Sequence, residues 1–182
     1  MQRPTRTTER LFLRPLADAD AGDVERLAGD RAVADTALNV PHPFEAGMAQ
    51  AWIAADRASF EQGTAVTFAL TRRSDRAFLG AIGLMQIAPG HQAELGYWIG
   101  APFWGQGYAT EAAREVVAYA FTELGLVRVH AHHLGRNPAS GRVLRKVGMQ
   151  HEGRLRHHVR RWGTFEDLDL YGVLVEACHA LR

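Results

Sequence analysis

The longest regular pattern in the chain is an apolar stripe that follows a glycine-rich stretch. Apolar residues over 109–124 recur three and four positions apart, which is the spacing of one face of an α-helix. The preceding residues, 97–111 (YWIGAPFWGQGYATE), predict a strand, a loop that contains Gly105 and Gly107, and the first turn of that helix. A strand that leads through glycines into a long amphipathic helix predicts a sheet with helices packed against it.

Strand and helix patterns mix along the rest of the chain, without a repeat or a linker. Asn137 followed by Pro138 predicts a helix start, and Asp18 predicts another N-cap. Strand patterns cover 8–14, 64–71, 78–87, 94–99, 126–134, 149–159 and 165–175, and further helix patterns cover 18–29, 44–60 and 137–148. We therefore predict a single α/β (α+β) domain over residues 1–182.

Composition excludes several classes of protein. The 182 residues carry 21 Lys and Arg against 20 Asp and Glu, so there is no overall basic field for nucleic acid. The single cysteine, Cys178, excludes an intrachain disulfide and a cysteine-based zinc site. Residues 1–16 hold no apolar core of a secretion signal, and no apolar run could span a bilayer. We expect a cytoplasmic protein without a membrane partner.

The glycine-rich loop predicts a binding site for phosphate. Backbone N–H groups over about 106–110 would be free at the helix start, where the helix dipole favours an anion. A P-loop would need Lys after Gly107, and this chain has Tyr108. A dinucleotide fold would need an acid near the end of the next strand, but 126–134 holds Arg128 and three histidines and no acid.

Several segments, taken in order, resemble the GNAT N-acetyltransferases, and within them the subgroup that acetylates ribosomal-protein N-termini. The segments are TERLFLRPL, LGAIGL, AELGYWIGAPFWGQGYATEA and RNPASGRVLRKVGM. The family's acyl-CoA loop, Gln/Arg-x-x-Gly-x-Gly/Ala, falls on 104–109, where Gly107 and Ala109 match and Trp104 departs from the first position. The resemblance implies a mixed, mostly antiparallel twisted sheet of about six to seven strands flanked by helices, with a splayed strand pair that holds acyl-CoA.

The resemblance also implies that acetyl-CoA is the co-substrate. Its pantetheine arm would pair with the splayed strand, whose N–H groups could polarise the thioester carbonyl. The expected contacts are Tyr97, Trp98 and Ile99 on the strand, Trp104, Gly105, Gln106, Gly107, Tyr108, Ala109 and Thr110 in the loop and helix start, and Asn137 and Lys146. We expect no metal, because the nine histidines form no His-Glu-x-x-His pattern or carboxylate-bracketed triad.

For catalysis, the resemblance points to Glu94 as the base, acting through water, although a solvated glutamate at the strand end fits the pattern equally. Most family members carry a tyrosine acid where this chain has Leu144. Ser140 is the subgroup's substitute and would donate a hydrogen bond to the sulfur. Tyr108 and Tyr171 are further candidates for the acid. We expect direct transfer to the amine, without a covalent intermediate.

The expected acceptor is the N-terminal α-amine of a protein or peptide. A small amine (an amino acid, a polyamine or an antibiotic) and a non-catalytic acyl-CoA-binding domain remain open. The basic stretch 153–163 (GRLRHHVRRWG) predicts a solvated hairpin. Trp162 at its tip is assigned either to the acceptor groove or to a contact between two copies of the chain, which leaves a homodimer open.

Overall fold

One twisted sheet of eight strands organises the molecule, in the order β1-β2-β3-β4-β5-β6-β8-β7. We describe residues 3–179 of a computed structural model; the side chain of Cys178 lies outside the described part. The strands are β1 Arg6–Thr7, β2 Leu11–Pro15, β3 Val66–Arg72, β4 Phe78–Ala88, β5 Gln92–Ile99, β6 Arg128–Leu134, β7 Gln150–Arg161 and β8 Thr164–Leu174. Neighbouring strands are antiparallel except for β5 and β6, which are parallel.

The helices cover the two faces of the sheet unequally. They are α1 Ala21–Ala28, α2 Arg31–Thr36, α3 Met48–Glu61, α4 Tyr108–Thr122, α5 Pro138–Lys146 and α6 Val175–His179, with 3-10 turns at Asp18–Asp20 and Ala101–Phe103. The predicted apolar stripe of α4 is buried on one face, where Ala112, Ala113 and Val116 are fully covered. Val24 of α1 and Ile53 of α3 belong to a second apolar cluster on the opposite face. The sheet therefore separates an α4–α5 face from an α1–α3 face.

The parallel pair β5 and β6 separates along its length. Residues 92–94 of β5 pair with residues 128–130 of β6, and the rest of β5 has no partner in β6. Alternation along β5 directs Tyr97 toward the α4–α5 face and Trp98 toward the α1–α3 face. The divergence leaves a slot in the sheet that is open to both faces.

The predicted fold is confirmed, with one strand more than the expected six to seven within residues 3–179. The additional strand β1 spans two residues, which is too short for any alternation to appear in the sequence. The N-cap predicted at Asp18 is wrong. The Asp20 carboxylate accepts the hydrogen bond of the Ala17 N–H at 2.8 Å and is bound by Arg14, while Asp18 lies inside the 3-10 turn.

Candidate functional site

The slot between β5 and β6 widens into a cavity of about 820 Å³. On the α4–α5 face it is lined by the glycine-rich loop and the start of α4, and by Asn137, Ser140 and Lys146 of the α5 region. On the α1–α3 face it is lined by residues of α1 and α3 and by the 37–47 loop, which joins α2 to α3. One cavity thus connects a loop suited to an anion with a second, separately built compartment.

The glycine-rich loop leaves the start of α4 without a side-chain cap. Gly107 occupies the N-cap position with φ 85°, in the left-handed region that favours glycine. A Cβ atom there would approach the Arg10 guanidinium to 3.4 Å. Because no side chain accepts from the first turn, its N–H groups are available to an anion, and Gly107, Tyr108, Ala109 and Thr110 all line the cavity.

Arg10 holds this loop from outside the cavity, a contact that sequence analysis missed. Its Nη1 donates to the Gln106 carbonyl at 2.9 Å and its Nε donates to Glu111 in the first turn of α4 at 2.7 Å. Burial tends to raise the pKa of Glu111, but hydrogen bonds from Thr8 and Arg10 outweigh it and hold that pKa below its usual value. Thr8 and Arg10 lie in TERLFLR, a segment that was predicted as a strand but not as a support of the glycine-rich loop.

The start of α5 brings three predicted site residues together. Asn137 accepts a hydrogen bond from the Ser140 N–H at 3.2 Å, which confirms it as the N-cap. Its Nδ2 also donates to the Thr36 carbonyl at 3.1 Å. The Ser140 hydroxyl lies 2.7 Å from the Tyr97 hydroxyl, which approaches from β5. Burial raises the pKa of Tyr97 to about 12 in spite of the Ser140 hydrogen bond, so the phenol stays protonated at neutral pH.

Gly141 allows α5 to approach the sheet this closely. A Cβ atom at Gly141 would lie 2.7 Å from Nε2 of His133 and 3.2 Å from the Tyr171 hydroxyl. Both side chains stand beneath the helix, with their rings 5.5 Å apart. A larger residue would therefore displace Ser140 from Tyr97.

Glu94 lies on the α1–α3 face and is paired with a histidine. It is only 8% exposed, so the alternative of a solvated glutamate at the strand end is wrong. Its Oε1 lies 3.3 Å from Nδ1 of His132 on β6, and both residues line the cavity. This pair was not predicted from the sequence, because the pairing of β5 with β6 is set by tertiary structure.

The remaining predicted residues lie around the same cavity, with one exception. Trp104 lines it and donates its indole N–H to the Ile99 carbonyl at 2.6 Å, while Trp98 packs against Trp52 of α3. Gln106 does not line it, because its side chain donates to the Pro102 carbonyl at 3.2 Å, outside the cavity. Every other predicted contact lines the cavity: Glu94, Tyr97, Trp98, Ile99, Trp104, Gly105, Gly107, Tyr108, Ala109, Thr110, Asn137, Ser140 and Lys146.

The two further tyrosine candidates differ in position. Tyr108 lines the cavity, but its ring is buried and the Arg10 guanidinium lies 4.7 Å from the ring centre. Tyr171 does not line the cavity, and its hydroxyl accepts a hydrogen bond from Arg145 at 3.0 Å. Neither hydroxyl meets Ser140, which leaves Tyr97 as the phenol beside it.

The β7–β8 hairpin is largely exposed, as predicted, and the exception is Arg161 near its tip. Arg161 is 9% exposed, and its guanidinium donates to the carbonyls of Ala34, Ala37, Leu38 and Val40. Trp162 is 44% exposed and stacks with Arg31 and Arg161, next to the 37–47 loop but outside the main cavity. The hairpin therefore holds the loop that lines the α1–α3 side of the cavity.

Among the side chains described within residues 3–177, no group of three or more His, Cys, Asp or Glu is arranged to hold a metal ion. Over the same part of the chain, no helix has the length and apolar character needed to cross a membrane.

Comparison with known proteins gives a consistent result. The family model of the acetyltransferase (GNAT) domain matches residues 10–150. The uncharacterized N-acetyltransferase YoaA of Bacillus subtilis (strain 168) is 32% identical over 173 residues, 94% of this chain and 97% of YoaA. The [ribosomal protein uS5]-alanine N-acetyltransferase of Escherichia coli (strain K12) is 26% identical over 88% of this chain and 86% of its own length. A GNAT-family acetyltransferase from Bacillus anthracis shares the fold, with a TM-score of 0.84, 23% identity and coverage of 95% of this chain and 99% of its own.

Proposed function

The chain belongs to the GNAT family and is an acetyl-CoA-dependent acyltransferase, and we propose that its acceptor is the N-terminal α-amine of a protein or peptide. One observation carries the choice of acceptor. Among the described residues that line the cavity, Glu94 is the single acid, and the α1–α3 side is otherwise apolar or uncharged. One carboxylate matches one ammonium group, whereas a polyamine or aminoglycoside brings several.

Acetyl-CoA fits the α4–α5 side of the cavity as a substrate. The first-turn N–H groups of α4 suit its diphosphate, and Arg142 and Lys146 add positive charge along the same wall. Residues 95–99 of β5 pair with β4 but not with β6, and we call them the unpaired half of β5. Their free edge suits the amide groups of pantetheine, which would extend the sheet. Asn137, already the N-cap of α5, would contact the arm near its middle.

The reaction requires a stabilised oxyanion and a stabilised leaving group. An N–H of the unpaired half of β5 would donate to the developing oxyanion, a contribution of a few kcal/mol, roughly 2.7–4, in other acyl transfers. Ser140 would donate to the departing thiolate, and the protonated Tyr97 phenol would donate to Ser140 in turn. The amine would lose its proton on the α1–α3 side of the cavity, where Glu94 and His132 lie.

The walls of the α1–α3 side fit the first residue of a peptide. Val40, Phe44 and Met48 line it together with Trp52, so an apolar or small side chain next to the amine would be covered. The similarity to the uS5-alanine N-acetyltransferase supports an α-amine acceptor, since that enzyme's name gives an alanine of a ribosomal protein as its acceptor.

Product mapping tests the acceptor. The chain is incubated with acetyl-CoA and hexapeptides that differ at the first residue, their N-formylated forms, spermidine and an aminoglycoside. Mass spectrometry should locate the acetyl group on the α-nitrogen, and the N-formylated controls should stay unmodified even where they carry lysine. Faster turnover of spermidine or the aminoglycoside would overturn the peptide acceptor and favour the small-amine alternative.

A further inference from the structure

The contact between Glu94 and His132 indicates which of the two residues takes the proton from the acceptor, a point on which the family resemblance indicates Glu94. We propose that His132 is the general base that takes the proton from the acceptor ammonium, and that Glu94 is a positioning residue that orients and stabilises it. This inference rests on the proposed function only in requiring an amine acceptor. In this proposal the residue that contacts the substrate amine is His132, not Glu94.

The geometry supports this order of the two groups. Oε1 of Glu94 lies 3.3 Å from Nδ1 of His132, close enough for Nδ1 to donate a hydrogen bond to the carboxylate. A proton on Nδ1 leaves Nε2 as the nitrogen with the free electron pair. Both residues line the cavity, and the Glu94 side chain is the more covered of the two, with 11% exposed against 20% for His132. The deeper carboxylate thus stands behind the imidazole.

The chemistry of the acceptor favours an imidazole over a carboxylate. A free α-amino group titrates at about 7.7–8.0, an imidazole at about 6.5 and a glutamate at about 4.3. Proton transfer is most effective when the base matches both the working pH and the group that it deprotonates. A carboxylate hydrogen-bonded to the imidazole fixes its tautomer and its orientation.

The charged groups around His132 are compatible with a transient imidazolium. Glu94 is the opposing charge from β5, and on β6 the neighbouring ionisable group on the same face is His130. Burial lowers the pKa of His130, which favours its neutral form and limits its repulsion of an imidazolium at His132. Arg128 is paired with Glu152 of β7 at 2.5 Å, and the residues of β8 opposite His130 and His132 are Gly172 and Leu170. The 37–47 loop contributes uncharged side chains to this part of the cavity, among them Leu38 and Val40.

Every proton and electron pair of the proposed reaction has a destination. The acceptor R–NH₃⁺ gives one proton to Nε2 of His132, and the freed electron pair attacks the thioester carbon, forming C–N as the carbonyl electrons move to oxygen. The tetrahedral intermediate passes its second nitrogen proton to the Ser140 hydroxyl as it collapses, which re-forms the carbonyl and breaks C–S. The thiolate takes a proton through Ser140, and His132 returns its proton to water. The sum is R–NH₃⁺ plus acetyl-CoA giving R–NH–acetyl, CoA–SH and one H⁺.

The pH dependence of kcat/KM for the acceptor separates the two assignments. His132→Asn should lower kcat/KM by roughly 10²–10⁴-fold, the usual contribution of a general base, and should remove the acidic limb of the profile. Glu94→Gln should also lower kcat/KM but keep that limb, because the imidazole that takes the proton is still present. CoA affinity should stay within about twofold of the wild type in both variants. If Glu94→Gln removes the limb while His132→Asn keeps it, Glu94 is the base and the proposal fails.

The chain offers a matched control. His151 forms a comparable pair with Asp169, with 3.0 Å between Nε2 and Oδ1, but it does not line the cavity. His151→Asn should therefore leave the profile unchanged. A profile altered as strongly as in His132→Asn would mean that removing any paired histidine perturbs the enzyme, and would overturn the proposal.

A measurement on the unmutated chain keeps the test independent of folding and of the acceptor. Nitrogen-15 chemical shifts of His132 in the presence of CoA should report a neutral ring protonated at Nδ1, and the Nδ1 shift should change in Glu94→Gln, where an uncharged amide replaces the carboxylate. A ring protonated at Nε2 would overturn the proposal. This measurement also decides the case in which both variants lose the acidic limb of the pH profile. Failure to acetylate any peptide would instead count against the proposed acceptor.

Discussion

The two sides of the cavity are built in different ways. On the α4–α5 face, the groups suited to acetyl-CoA are mostly backbone atoms: the first turn of α4, the unpaired half of β5 and the N-cap of α5. On the α1–α3 face, the walls are side chains, and much of the lining belongs to the 37–47 loop, which has no helix or strand.

The difference extends to how each side is held. The glycine-rich loop is fixed by Arg10, from the turn that joins β1 to β2. The 37–47 loop is fixed by Arg161, more than 120 positions away along the chain, through carbonyls that offer no sequence pattern. A side that binds one constant ligand through backbone geometry can be shared by many proteins, whereas a side made of variable side chains suits an acceptor that differs between them. This contrast predicts that the two halves of the reaction can be damaged separately.

The largest effect should come from Gly107→Glu. The substitution puts a left-handed strain, a side chain and a negative charge at the start of α4, where an anion is expected, so CoA affinity should fall by about 100-fold or more. Isothermal calorimetry with CoA measures the change. Gly63→Glu is the matched control, because Gly63 also has a positive φ, 71°, but has no atom near its Cβ position and does not line the cavity. Equal affinity in Gly107→Glu and the control would show that the loop does not bind the diphosphate.

Arg161→Met should impair binding of the acceptor and leave binding of CoA intact. Four carbonyls of residues 34–40 lose their donor, so the 37–47 loop should become mobile and KM for the acceptor should rise by about 10-fold. CoA affinity should hardly change, because the opposite face is untouched. Steady-state kinetics with each substrate varied separates the two parameters.

Two variants control for Arg161→Met. Arg160→Met removes the exposed neighbouring charge and should leave both parameters unchanged. Arg161→Lys keeps the charge with fewer donors and should lie between the wild type and Arg161→Met. A rise in the Kd for CoA as large as the rise in acceptor KM would contradict the separation of the two sides.

Tyr97→Phe should have an intermediate effect. Ser140 loses its hydroxyl partner, so the thiolate is less well stabilised and kcat should fall by roughly 10-fold, with CoA affinity nearly unchanged. Rapid-quench and steady-state rates at pH 7 measure it. Tyr119→Phe, at a buried tyrosine of α4 outside the cavity, serves as the control. A leaving-group analogue of lower thiol pKa should reduce the difference between Tyr97→Phe and the wild type; an unchanged difference would place Tyr97 outside the leaving-group step.

The sequence was most informative where local pattern decides structure. The α4 stripe, the glycines of the loop and the Asn137-Pro138 pair predicted elements that the structure contains, because each depends on residues close in the chain. Pairings between distant elements could not be predicted this way. The contact of Glu94 with His132 depends on the register of β5 and β6, and the role of Arg161 depends on how the hairpin tip meets α2. Helix α2 also escaped prediction, since six residues are too few to show a period.

The smallest expected effect concerns the base of the hairpin, which supports both sides equally. Asp169 accepts hydrogen bonds from Arg154 and lies beside His151, and the Arg154 hydrogen bonds lower its pKa to about 2. A carboxyl group with a lowered pKa in the folded state contributes stability that is present above its ordinary value, about 3.9, and is lost as the pH falls toward 2. The free energy of unfolding should therefore decline between about pH 4 and pH 2.

Asp169→Asn should remove this part of the decline and lower stability at pH 7, as measured by urea unfolding over that pH range. Asp18→Asn, at an exposed carboxylate paired with Arg57, should leave the slope nearly unchanged. Strand β8 pairs with β6, and its hairpin also reaches the 37–47 loop. Near the unfolding transition, Asp169→Asn should therefore lower the affinity for CoA and raise KM for the acceptor by similar small factors. A change confined to one substrate would mean that the hairpin serves one side only, and that the cavity has two independent supports.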